Sequence, residues 1–349
     1  MRLAWFAPET DDVALELART HHVDRFDAAR AHDFVWQHAR APYDLTIFEL
    51  ADSAAHAYVW PYLFHYPGIV VLRAISLQQS RTEWLHLHHR RHHLRAERTF
   101  GGPALLRAPV AASRLVVVHD DAAARELRDE YPDLDVRVLP PGVIAAPIAS
   151  STGETGFRYR APQPDVVERA AARAREAGAR ITVTAGFEGL HDRDVVIALE
   201  WPPTGAPPVE ALRAMAAGLP AVVFETEAVA TWPTLDPQTW QPRGYASAAA
   251  PIAISIDPRD EEHSLMLCMR RLSADPGLGT RLGTAARIWA SQHASADAAA
   301  RAWEPVLRDA LQRTPPLVAG DLPAHFLEDG TAALQATLGE FGVSVDFLP

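Results

Sequence analysis

Residues 201–224, WPPTGAPPVEALRAMAAGLPAVVF, decide the fold. The turn Thr204-Gly205 and the prolines Pro207 and Pro208 stop the preceding segment, while Val209, Leu212 and Met215 recur at helical spacing. Gly218 ends that helix and Pro220 opens the apolar strand AVVF. A helix entered through a Pro-Gly turn and leaving into a buried strand is part of an α/β unit. Its first-turn amides make a seat for an anion such as a nucleotide phosphate.

Outward from this stretch the same alternation continues. In the first half, apolar runs at Leu3–Ala7, Leu45–Leu50, Ile69–Ala74, Leu115–His119 and Val136–Leu139 read as strands buried on both faces. Helical patterns at Asp11–His21, Ala54–Tyr66, Leu77–Arg98 and Ala122–Tyr131 fit between them, which favours a parallel sheet covered by helices. Pro140-Pro141-Gly142 ends this half, and the Ser-, Thr-, Gly- and Pro-rich stretch to Pro164 reads as a linker or loop. Beyond it come a helix at Asp165–Ala177, strands at Arg180–Thr184 and Val195–Leu199, the motif helix, strands at Ala221–Glu225 and Ile252–Ile256, and three helices between Asp260 and Arg313. At 349 residues the chain is long enough for two cores. The expected division is residues 1–144, residues 145–313 in a shortened second domain, and a tail at 314–349 with a short helix.

Composition removes several classes. Hydrophobic residues make up 48% and charged residues 22%, as in an ordinary globular protein, and no apolar run is long enough to span a bilayer. Glu9, Asp11 and Asp12 follow LAWFA at once and leave no signal-peptide core, so the expected location is the cytoplasm. A net charge of −11 argues against general nucleic-acid binding. The single cysteine, Cys268, excludes an internal disulfide and a cysteine-based zinc site. All 33 basic residues are arginine, so any phosphate grip must use arginine or backbone amides.

The run Ala214-Met215-Ala216-Ala217-Gly218-Leu219-Pro220 resembles the donor-sugar motif of family 4 glycosyltransferases of the GT-B fold. Further segments follow that family's order: Asp52-Ser53-Ala54-Ala55-His56, Pro67-Gly68-Ile69-Val70-Val71-Leu72, Ser113 to His119, Pro141-Gly142-Val143, Ala285-Ala286-Arg287 and Asp329-Gly330-Thr331. The resemblance implies two Rossmann-like domains facing each other across a cleft. It also implies transfer of a sugar from a nucleoside diphosphate sugar to an acceptor, by hexosyltransferase chemistry that uses no metal and no flavin. The chain departs from the family where the chemistry is concentrated. Gly205 and Arg213 stand in place of a pair of glutamates, Arg73-Ala74 replaces a His-Asp dipeptide, and Ala7-Pro8-Glu9 replaces a Gly-rich loop. Altered or lost activity is therefore expected alongside transfer itself, and a non-catalytic accessory or scaffold subunit with a protein partner is the competing class.

Sugar transfer needs cations and amides around the departing diphosphate and an acceptor hydroxyl held at the anomeric carbon. Thr204, Gly205, Glu210 and Arg213 are the donor-side candidates; Glu210 also reads as a solvated helix face, and Arg213 as its ion-pair partner. Asp52, Ser53, Arg73 and His119 follow strand carboxyl ends and are the acceptor-side or phosphate candidates, with a helix cap as the alternative for Asp52 and Ser53. His88/His92 and His89/His93 fall at i, i+4 spacing in WLHLHHRRHHLR, but the interleaved arginines favour a polar helix face over a metal site. Trp201 and Trp232 flank the motif and are candidates for sugar stacking, whereas Trp289 and Trp303 read as core.

Overall fold

The computed structural model describes residues 1–9, 11–151, 153–201, 203, 206–243, 250–314, 322–326 and 338–342. In the first lobe six parallel strands form one sheet: β1 (Arg2–Phe6), β2 (His22–Phe26), β3 (Leu45–Leu50), β4 (Ile69–Leu72), β5 (Leu115–Val118) and β6 (Val136–Val138), in the order β2-β1-β3-β4-β5-β6. Side chains alternate across it. Leu3, Trp5, Ile47, Val71 and Val117 face one core, while Ala4, Phe6, Phe48, Val70 and Val116 face the other. Burial on both faces is why these strands read as continuous apolar runs. Helices α1 (Asp12–Leu17), α2 (Ala31–Arg40), α3 (Trp60–His65), α4 (Gln78–Leu87), α5 (Leu94–Gly101), α6 (Arg107–Ala112) and α7 (Asp121–Glu130) accompany the sheet.

The second lobe is built the same way. Strands β7 (Ile148–Ala149) and β10 (Leu190–His191) pair with each other, apart from a seven-stranded sheet. That sheet comprises β8 (Thr155–Arg160), β9 (Ile181–Ala185), β11 (Asp194–Ala198), β12 (Ala221–Phe224), β13 (Thr234–Leu235), β14 (Pro242–Arg243) and β15 (Ala253–Ile256), in the order β14-β13-β15-β12-β11-β8-β9. Every pairing in it is parallel except β13 with β14. Helices α8 (Pro164–Glu176) and α10 (Glu261–Ala274) cover one face, and α9 (Val209–Ala217) and α11 (Pro276–His293) the other. Strand β8 lies inside the stretch that reads as a linker. Its alternating TGFRYR pattern, with Arg158 and Arg160 interrupting the apolar run, hides a strand whose Phe157 and Tyr159 are buried.

Helix α9 ends as its sequence requires. Gly218 takes the left-handed conformation at φ 89°, and its N–H reaches back to the carbonyls of Ala214 and Met215. Helix α11 crosses there so closely that a Cβ on Gly283 would lie 1.9 Å from the Gly218 carbonyl oxygen. Helix α12 (Ala296–Gln312) returns to the first lobe, where Trp303 packs 5.2 Å from Trp5. A further short segment, Ala324–Phe326, also packs on the first lobe, placing Phe326 in its core.

Candidate active site at the interlobe cleft

A cleft of about 840 Å³ separates the lobes at the carboxyl ends of their strands. His119, Asp120 and the outer face of α7 form one wall; Pro207, Leu212, Glu227, Trp232, Trp289 and His293 form the other. The start of the motif helix therefore borders the cleft, through Pro207 and Leu212. Thr204 and Gly205 lie outside the described residues.

The two arginines expected at phosphate are both ion-paired. Arg73 follows β4 and sits in a buried triad: its Nη2 donates to Asp11 Oδ2 at 2.7 Å and its Nε to Glu49 Oε1 at 2.7 Å. Asp11 Oδ1 accepts from the amides of Val13 and Ala14 and so caps α1. Burial, aided by the neighbouring Glu49 carboxylate, raises the Asp11 pKa to about 6 despite Arg73. Burial would raise Glu49 too, but the charge and hydrogen bond of Arg73 hold it below the usual carboxylate range. Arg213 crosses to the first lobe, its Nε and Nη2 donating to Asp12 Oδ2 at 3.2 and 3.0 Å. The same oxygen accepts from the amide of Ile144 at 2.9 Å, so one carboxylate ties α1, the interlobe crossing and α9 together. Glu210 pairs with Arg160 at the end of β8, a partner that the Arg213 pairing leaves available.

The remaining candidates divide between capping and the cleft. Asp52 accepts from the amides of Gln79 and Ser80 and from Ser76 Oγ, so it caps α4 rather than the short helix that follows it in sequence. Ser53 makes no backbone cap; its Oγ meets His56 Nδ1 at 2.9 Å. His119 Nδ1 donates to the Leu139 carbonyl at 3.0 Å, which leaves Nε2 as a bare acceptor with no partner. Burial, with Arg73 adding repulsion, lowers the His119 pKa to about 4, so the ring is neutral at pH 7. Glu49 Oε2 and His56 Nε2 are likewise buried without hydrogen-bond partners. Five first-lobe groups thus share one region at the ends of β1, β3, β4 and β5.

Sequence reasoning missed the acidity of the cleft. Asp120, Asp121, Glu126, Asp129 and Glu130 line it from the first lobe and Glu227 from the second, beside Arg125. Burial raises the Asp120 carboxyl pKa, with Asp121 and Glu227 adding to the shift, and Glu126 moves the same way. The clue was legible in DDAAARELRDE, five of whose eleven residues are acids. Two of the tryptophans also change places. Trp289 borders the cleft, 5.2 Å from Trp232 and stacked on His293 at 4.9 Å, while Trp201 is 55% exposed against Phe224. In the His-rich segment α4 stops at Leu87 and His89 takes φ 56°, so the 88/92 and 89/93 pairs do not share a helix. No helix among the described residues is long and apolar enough to cross a membrane.

Neither a protein-family model nor a curated protein sequence matches the chain. Solved structures do match its fold. A sucrose-phosphate synthase from Thermosynechococcus elongatus aligns over 88% of this chain and 98% of its own, with TM-score 0.57 and 13% identity. Anabaena HepE, solved with UDP, aligns over 88% and 100% with TM-score 0.53 and 13% identity. An α-glucosyltransferase solved with UDP-glucose and DNA containing an abasic site aligns over 88% and 99% with TM-score 0.50 and 12% identity. With its two parallel sheets and the cleft between them, the chain has the GT-B fold of these glycosyltransferases.

Proposed function

We propose that this protein is a family 4-like glycosyltransferase of the hexosyltransferase type, working in the cytoplasm, in which transfer from a nucleoside diphosphate sugar to its acceptor is weakened. Residues 1–144, joined by α12, supply the acceptor side and 145–295 the donor side. The observation that carries the reading is the pairing of the expected phosphate cations: Arg73 is held by Asp11 and Glu49, and Arg213 by Asp12. A diphosphate entering the cleft meets carboxylates on both walls and must draw its stabilisation from backbone amides near Pro207 and from Arg125. His119 lines the cleft and its buried Nε2 has no partner, which supports a role for it as acceptor of a hydroxyl hydrogen from the sugar or acceptor.

The test is calorimetry with UDP-, GDP- and dTDP-glucose, together with donor hydrolysis. Dissociation constants of about 1 mM or weaker, with slow hydrolysis, are expected. Low-micromolar binding with ready turnover would overturn the weakened assignment. The acid-lined cleft favours one second reading, a non-catalytic accessory subunit. It requires no donor binding at all, together with a stable complex with another protein in light scattering.

A further inference from the structure

The second lobe carries another depression, of about 530 Å³, that shares no lining residue with the cleft. Arg180 in its wall immediately precedes β9, so it lies at the edge where the strands begin, away from their carboxyl ends. Helices α8 and α10 both finish there, and the turn joining β13 to β14 closes the third side through Trp240.

Three arginines from two segments, Arg180, Arg270 and Arg271, line this depression, and no carboxylate does. In a chain of net charge −11, Arg180 and Arg270 form no ion pair among the described residues. Arg271 reaches Asp275 at 3.6 Å while its guanidinium lies 5.9 Å from the Trp240 ring. Attraction of cations to helix carboxyl ends accounts for Arg270 and Arg271 individually. It does not account for Arg180, which lies beyond α8 and is held over the end of α10: its amide donates to Ser273 Oγ, which in turn donates to its carbonyl.

The indole is fixed as well. Trp240 adopts φ 57°, a left-handed backbone that a bulky side chain rarely takes. The turn enforces it: the Trp240 amide donates to the Asp236 carbonyl at 2.7 Å, and the Asp236 side chain is held by the Gln238 amide and by Arg243. An indole packed against the second-lobe core thus shares a recess of ligand size with three arginines, the Arg271 guanidinium nearest it. Forked guanidiniums suit phosphate oxygens, and an indole flanked by a guanidinium suits a planar base.

We propose that this recess binds a free nucleoside monophosphate, its phosphate on Arg180 and Arg270 and its base against the Trp240 ring, beside Arg271. The site is independent of the cleft and of the transfer reaction assigned to it. The experiment is calorimetric titration of the full chain with AMP, UMP and inorganic phosphate, repeated on Arg180→Ala/Arg270→Ala, Trp240→Leu and the cleft variant Arg125→Ala. These side chains are exposed or at a turn, and unchanged thermal melts confirm folding. Saturable nucleotide binding that falls roughly tenfold or more in the double arginine variant and in Trp240→Leu, but persists in Arg125→Ala, is expected. Three results would each overturn the proposal: no saturation by about 5 mM nucleotide, equal affinity for AMP and phosphate, or loss confined to Arg125→Ala.

Discussion

Replacing Arg73 by methionine isolates the buried triad. The guanidinium is 17% exposed, Asp11 is 5% and Glu49 11%, so the substitution leaves two facing carboxylates in a site that water scarcely reaches. Removing one partner of a buried ion pair typically costs about 3–5 kcal/mol, and here two pairs go at once. The loss should depend on pH. Asp11 already titrates near 6 with Arg73 present, and removing that cation moves it higher still. A carboxyl whose folded pKa is raised favours the fold while protonated and loses that contribution as pH rises through the folded value. The deficit of the Arg73→Met chain should therefore be smallest near pH 5 and grow above pH 6. Urea denaturation at pH 5 and pH 8, compared with the unaltered chain, measures it. A deficit under about 1 kcal/mol at pH 8, or an equal deficit at both pH values, would refute the assignment of the triad as a dry electrostatic unit.

Two further outcomes follow from local geometry. Gly283→Ala should cost roughly 3 kcal/mol, the upper range for overpacking, because its methyl would overlap the Gly218 carbonyl, whereas Gly279→Ala, whose Cβ meets only Pro220 at 3.9 Å, should be neutral or slightly stabilising in the same denaturation assay. Arg213→Ala should cost under about 1 kcal/mol, since that side chain is 38% exposed and Asp12 keeps the Ile144 amide, while small-angle scattering registers a larger radius of gyration as the lobes lose their tie.

Sequence exposed what depended on local pattern. The apolar runs of β3, β5 and β12 and the Gly218 stop each follow from residues close together in the chain, and each is found where those residues place it. Strands β2 and β8 were hidden because His22, Arg158 and Arg160 break their apolar periodicity, and only pairing with β1 and β11 makes them strands. The candidate site was legible as positions rather than as partners. Arg73 and Arg213 stand out by type, but their carboxylates lie at Asp11, Glu49 and Asp12, remote in sequence and brought near only by strand order and the interlobe crossing. Trp289 looked like core because helical spacing does not say which lobe edge a helix borders.

The return of Trp303 and Phe326 into the first lobe sets an order on biogenesis. As the chain leaves the ribosome, the opening sheet is complete by residue 138, yet the indole that covers Trp5 arrives only after the entire second lobe has been made. Until then only α1 covers that face of the nascent first sheet, and the apolar side chains around Trp5 stay open to water. Its protection from proteases should consequently appear in one late step rather than lobe by lobe.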